Sequence, residues 1–98
     1  MRIIAYKKID EFAKRYPDAK AALDDWYTKI EEADLTGFAD VKKISNSVDS
    51  VGNKRYVFNI RGSSYRLIAL ILFEAKIVYI RHIDTHSGYD KIKDCSIV

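Results

Sequence analysis

The sequence predicts an α+β domain: an N-terminal strand, two to three helices, and then a three-stranded antiparallel meander with the helices on one of its faces. Three observations carry this. Apolar residues recur at helical spacing in the first half of the chain. They alternate with a two-residue period in the second half. A polar stretch, SNSVDSVGNK at 45–54, divides the halves. With 98 residues the chain is expected to form a single domain, 1–98.

Each element has its own signal. Arg2 to Tyr6 is a short β-branched run and the first strand. Ile9, Phe12, Ala13 and Tyr16 mark a first helix, which Pro17 ends because the residue before a proline is pushed out of the α region. Asp18 is placed to cap a second helix, whose apolar stripe is Ala19, Ala22, Leu23, Trp26, Tyr27, Ile30 and Ala33. Thr36 is placed to cap a third, short helix with Phe38, Val41 and Ile44 inward. Residues 45–54 are expected to be a loop.

Arg55 to Arg61 alternates, with Tyr56, Phe58 and Ile60 facing one way and Arg55, Val57, Asn59 and Arg61 the other. Gly62-Ser63-Ser64 is a hairpin turn. Tyr65 to Phe73 is apolar on both faces except at Arg66, which marks a central strand whose second face needs a cover, either the C-terminal segment or a partner. Ile77 to Ile83 is the last strand, with Tyr79 and Arg81 on one face and Val78, Ile80 and His82 on the apolar one.

Composition excludes several functions. The opening MRIIAYKKIDEF lacks a signal peptide's apolar run, and the longest apolar stretch, Leu67–Phe73, is far short of a membrane span of about 20 residues. A cytoplasmic protein is expected. The single cysteine, Cys95, allows neither an internal disulfide nor a cysteine-based zinc cluster. No glycine-rich phosphate loop or acidic two-metal cluster is present. The net charge of +3 is uneven: residues 1–50 carry nine basic and ten acidic residues, and residues 51–98 carry eight and four. The basic surplus of the second half points to an anionic partner.

The residue types in that half suit RNA. Arg55, Asn59, Arg61 and Arg66 share a sheet face in the expected register, Lys54 precedes them, and Tyr79 and Arg81 join from the last strand. Arginine grips phosphate oxygens bidentately, and aromatic rings stack on unpaired bases. Arg, Lys and Tyr are also ordinary residues for the wet face of a sheet. Beyond the last strand, Asp84-Thr85-His86-Ser87-Gly88-Tyr89-Asp90-Lys91 supplies an imidazole, a phenol, carboxylates and an amine. These groups fit metal-free RNA cleavage, in which the 2′-OH attacks the neighbouring phosphate between a general base and a general acid. Arg66 and Arg81 would stabilise the added charge, His86 would serve as acid or base, and Tyr89 would take the other role if arginines lowered its pKa.

The segments R-Y-V-F-N-I-R-G at 55–62, Y-R-L-I at 65–68 and I-R-H-I-D-T-H-S-G-Y-D-K-I at 80–92 resemble the HigB family of bacterial type II toxins, as do R-I-I-A at 2–5 and Y-P-D-A…W-Y at 16–27. The resemblance covers essentially the whole chain, and T-H-x-x-Y-D-K is its most specific part. It implies a RelE-like fold and a ribosome-dependent, cofactor-free and metal-independent mRNA endonuclease that cuts translated mRNA in the ribosomal A site. It also implies a HigA-type helix-turn-helix antitoxin as partner. Carried over, it places Asn59, Arg61 and Arg66 on the RNA-facing sheet and sets Arg81, His86, Tyr89 and Lys91 around the scissile phosphate; with the basic face, this makes Arg66, Arg81, His86 and Tyr89 the expected catalytic residues and Lys54, Arg55, Asn59, Arg61 and Lys91 the expected RNA-binding ones. Ser87-Gly88 departs from the bulkier or acidic residue common before the tyrosine, which implies a more flexible loop. The alternative is a degenerate toxin, binding RNA or antitoxin without cleaving. An unrelated metal-dependent hydrolase is a third possibility.

Overall fold

The sheet is mixed and five-stranded, ordered β1-β5-β4-β3-β2, in a computed structural model that describes residues 1–98. β1 (Arg2–Ile4) runs parallel to the start of β5 (Ile77–Thr85), while β2 (Asp49–Gly52), β3 (Arg55–Ile60), β4 (Tyr65–Leu72) and β5 pair antiparallel in succession. Three helices, α1 (Lys7–Arg15), α2 (Lys20–Glu32) and α3 (Phe38–Ile44), come between β1 and β2. A short α4 (His86–Asp90) and a 3₁₀ turn at Cys95–Ile97 end the chain.

The main core forms where α1 to α3 meet one face of the sheet. Ile9, Leu23, Trp26, Ile30 and Val41 pack against Phe58, Leu67, Ala69, Ile71 and Val78, with Trp26 edge-on to Phe58. Ile30 is fully buried, so Ile30→Val should lower stability by about 0.5–1.5 kcal/mol, read as a shift in urea midpoint with an unchanged slope.

Five local expectations are corrected. Residues 45–54 contain an edge strand, β2, joined to β3 through Asn53 and Lys54, both at positive φ as a twisted two-residue hairpin requires. Asp18 does not cap α2. It lies in a 3₁₀ turn, where it accepts the Tyr65 hydroxyl at 2.6 Å and pairs with Arg61 at 3.2 Å. Gly37 rather than Thr36 is the N-cap of α3, and Thr36 instead donates its N–H and hydroxyl to Asp40. Arg61 is off the strand, at φ 53° in the turn after β3. His82 is no core residue. A register shift between Ile68 and Ala69 leaves Arg81 as the extra residue of β5 and sets His82 opposite Ile68, on the face away from α1–α3.

That second face has its own apolar pair. Val57 and Ile68 are cross-strand partners, and both are buried although neither joins the main core. The chain itself covers them: the Cys95–Ile97 turn packs on β2 and β3, and α4 packs on β4 and β5. The C-terminal segment is therefore the cover for the central strand's second face.

Candidate nucleic-acid interface and active site

The second face carries most of the candidate residues. Asn59, Arg66 and Asp84 form a row across β3, β4 and β5. Arg66 is held before any ligand arrives: its Nη1 donates to the Ser63 carbonyl at 2.7 Å and to that of Tyr65 at 3.3 Å. Its guanidinium carbon lies 5.7 Å from the Tyr89 ring centroid, within cation–π range. Nε and Nη2 of Arg66 donate to no protein atom, which leaves N–H groups for an anion.

Tyr89 reaches Arg66 because α4 folds back over the sheet. Thr85 caps that helix, its Oγ1 accepting the Gly88 N–H at 3.1 Å, and the His86 N–H donates to the Ser64 carbonyl. Burial raises the Tyr89 phenol above its ordinary value, and the neighbouring Cys95 sulfur and Asp49 carboxylate add to the rise. Arg66 pulls the other way and is outweighed. The sequence reading wanted arginines to lower this pKa. The environment does the opposite, so Tyr89 keeps its proton and suits the donor role.

Arg55 and Arg81 form a second pair. Both donate Nε to the same Val98 main-chain oxygen, at 3.2 and 3.3 Å, and Arg55 Nη1 also donates to the Asn53 carbonyl. Two guanidinium groups converging on one oxygen make a cationic notch, occupied here by the C-terminal segment. Arg81 lies three residues before Asp84 on β5, roughly 10 Å along the strand at about 3.3 Å per residue, so this notch is separate from Arg66.

The other candidates are spread more widely. His86 opens α4 and pairs with Asp90, Nε2 to Oδ2 at 3.2 Å. No hydrogen bond or ion pair joins it to Arg66, Arg81 or Tyr89. It does stand three residues before Tyr89 in α4, a spacing that puts two side chains on one side of a helix. Lys91 follows α4 and is exposed. Lys54 sits in the β2–β3 turn, at the end of β3 opposite Asn59. Arg61 is tied to Asp18, and through it to the Tyr65 hydroxyl and the helical side of the sheet. Lys54 and Arg61 are thus apart from the Arg66–Tyr89 centre.

Sequence reasoning missed Asp84, Asp49 and Cys95 as neighbours of the centre. Asp84 had a legible signal, a carboxylate two residues from His82 on a strand, but the bulge at Arg81 was needed to place it. No group of three or more His, Cys, Asp or Glu side chains is arranged to hold a metal ion, and no helix is long and apolar enough to cross a membrane.

Known proteins match most of this chain. A family model described as HigB toxin, RelE-like toxic component of a toxin-antitoxin system, matches residues 19–92. The mRNA interferase HigB of Escherichia coli O6:H1 is 33% identical over 94 residues, covering 94% of this chain and 91% of the relative. The mRNA interferase toxin HigB of Escherichia coli K12 and the mRNA interferase HigB of Shigella flexneri are each 32% identical over 92 residues, covering 92% of this chain and 88% of each relative. On these matches and the shared α+β architecture, the chain belongs to the HigB family of RelE-like toxins, the toxic components that toxin-antitoxin systems pair with an antitoxin.

Proposed function

We propose that this toxin is a metal-independent endoribonuclease that cuts mRNA in the ribosomal A site, acts in the cytoplasm and is neutralised by a HigA-type helix-turn-helix antitoxin. The observation that carries this reading is Arg66, preorganised against Tyr89 with N–H groups left unpaired, on a face whose nearest partners are polar. Relatives named mRNA interferases support the substrate.

In the proposed reaction the 2′ oxygen attacks the adjacent phosphorus as its proton passes to a base. The P–O5′ bond breaks, and the leaving 5′ oxygen takes a proton from an acid. The products are a 2′,3′-cyclic phosphate and a 5′-hydroxyl. Arg66 stabilises the charge gathering on the non-bridging oxygens. Tyr89, held protonated, is the acid. His86, steadied by Asp90 and on the same side of α4, is the base. Arginine, tyrosine and histidine supply every step without a metal.

Arg55 and Arg81 take a flanking phosphate in this scheme, after the C-terminal residues give way. Arg55→Gln should then weaken RNA binding and lower the slope of log affinity against log salt by about one, leaving the cleavage step itself nearly unchanged, which filter binding at several salt concentrations would measure. The Val98 main-chain oxygen in that notch is also the observation that favours the second reading, a toxin that binds RNA or antitoxin without cleaving. Induced expression, alone and with the product of a neighbouring helix-turn-helix gene, tests the main reading. Growth arrest with cut messages and rescue by the neighbour are expected. Arrest with intact messages would favour the binding-only module.

A further inference from the structure

Gly88 is the one glycine whose added Cβ would collide with a neighbour. Its φ lies outside the left-handed region, so the backbone there accepts any residue. Glycine is also a poor helix former, so nothing in α4 itself asks for it. The reason lies beneath it. A Cβ at Gly88 would run into the Asp84 carboxylate, overlapping Oδ1 and Cγ and coming 2.6 Å from Oδ2. The glycine is there for close approach, not for loop flexibility.

Asp84 is not free to retreat. Its Oδ1 accepts the Thr85 N–H at 2.8 Å and faces the Thr85 hydroxyl at 3.4 Å, and its Oδ2 bonds His82 Nε2 at 3.0 Å. Thr85 in turn holds the Gly88 N–H. The circuit is closed: the carboxylate fixes Thr85, Thr85 caps α4, and the bare Cα of Gly88 comes down on the carboxylate. Asp84 is the cross-strand partner of Arg66, and Tyr89 is the residue after Gly88.

We propose that Asp84 is a positioning residue for the Arg66–Tyr89 centre, its carboxylate being the seat on which Gly88 rests and which sets Tyr89 over the guanidinium. The role is one of shape and hydrogen bonding rather than charge. Its consequence for turnover rests on the endoribonuclease reading, whereas its structural part does not.

The test is a double-mutant cycle of Gly88→Ala and Asp84→Ala in the full chain, with Asp84→Asn as the shape-preserving variant. It has two readouts. One is the reactivity of Cys95, the only thiol and a neighbour of Tyr89, toward an aromatic disulfide reagent. The other is single-turnover cleavage of mRNA on programmed ribosomes, with kcat and KM separated. Gly88→Ala should expose Cys95 and lower turnover about 100-fold, the loss expected for an angstrom-scale misplacement, while KM stays near wild type. Asp84→Asn should stay near wild type in both readouts. In the Asp84→Ala background, adding Gly88→Ala should cost nothing further, because the obstacle is gone. Equal cost of Gly88→Ala in both backgrounds would overturn the proposal, as would a Gly88→Ala protein with wild-type thiol reactivity. If the wild type itself cuts no RNA, the endoribonuclease reading fails, and the thiol cycle still decides whether Asp84 seats the helix.

Discussion

Arg66→Ala is expected to slow RNA cleavage about 10²- to 10³-fold, equivalent to about 2.7–4 kcal/mol of transition-state stabilisation. The guanidinium is fixed by two carbonyls and by the Tyr89 ring, so it needs no rearrangement when charge builds on the phosphate. An interaction that strengthens as the phosphorane forms is lost from kcat rather than from KM. Arg66→Lys should recover only part of the rate, because an ammonium keeps the charge but not the planar fork or the stacking. Single-turnover kinetics on programmed ribosomes decide the matter, with thermal unfolding confirming that each variant is folded. An Arg66→Ala protein with wild-type kcat would remove Arg66 from the centre.

Tyr89→Phe carries the next largest effect, a fall of about 10²-fold in kcat, near the low end of what a positioned general acid contributes. Phenylalanine keeps the ring against Arg66 and removes only the hydroxyl, so the loss reports proton donation rather than packing. The pH profile supplies the sign. Tyr89 has a raised pKa, caused first by burial and then by Cys95. As a proton donor it is active below that pKa and lost as pH rises through it, so the alkaline limb of the wild-type profile should lie above about 10, the ordinary phenol value. Tyr89→Phe should lose that limb. A Tyr89→Phe protein with wild-type kcat and an intact alkaline limb would assign the proton to another group.

The two-residue alternation of Tyr56, Phe58 and Ile60 made β3 legible, and the helical stripe from Ala19 to Ile30 made α2 so, because each element buries one side against the same core. β2 was not legible. An edge strand of Asp49, Ser50, Val51 and Gly52 buries almost nothing and offers no apolar period to read. His82 was misplaced for a different reason. One extra residue at Arg81 reverses every later side chain on β5, and a bulge leaves no mark in hydrophobicity.

The site divides in the same way. Arg66, Asn59 and Tyr89 were legible as chemistry-bearing types near one another, and the structure brings these three together. Arg61 was not, since its left-handed turn conformation and its Asp18 partner depend on a 3₁₀ turn that resembled a helix cap in sequence. Lys54 was read as the last residue of the 45–54 loop, next to the basic face, and the hairpin turn that holds it at positive φ sets it at the far end of β3 from Asn59. Cys95 and Val98 come close through a fold-back of the C-terminal segment, a contact across more than forty residues from Arg55 for which sequence spacing carries no signal.

The central claim is that this chain cuts messages itself, by attack of the 2′-OH and without a metal. Its most direct measurement is primer extension on a translated message in a purified system, with end-group analysis of the fragments and a parallel arm in which isolated programmed complexes are treated with a chelator just before the protein is added. The account predicts cuts within the translated region that persist with the chelator, that end in 2′,3′-cyclic phosphate and 5′-hydroxyl groups, and that vanish with Arg66→Ala. Fragments carrying 5′-phosphates, or cutting abolished by the chelator in complexes that stay intact, would contradict it.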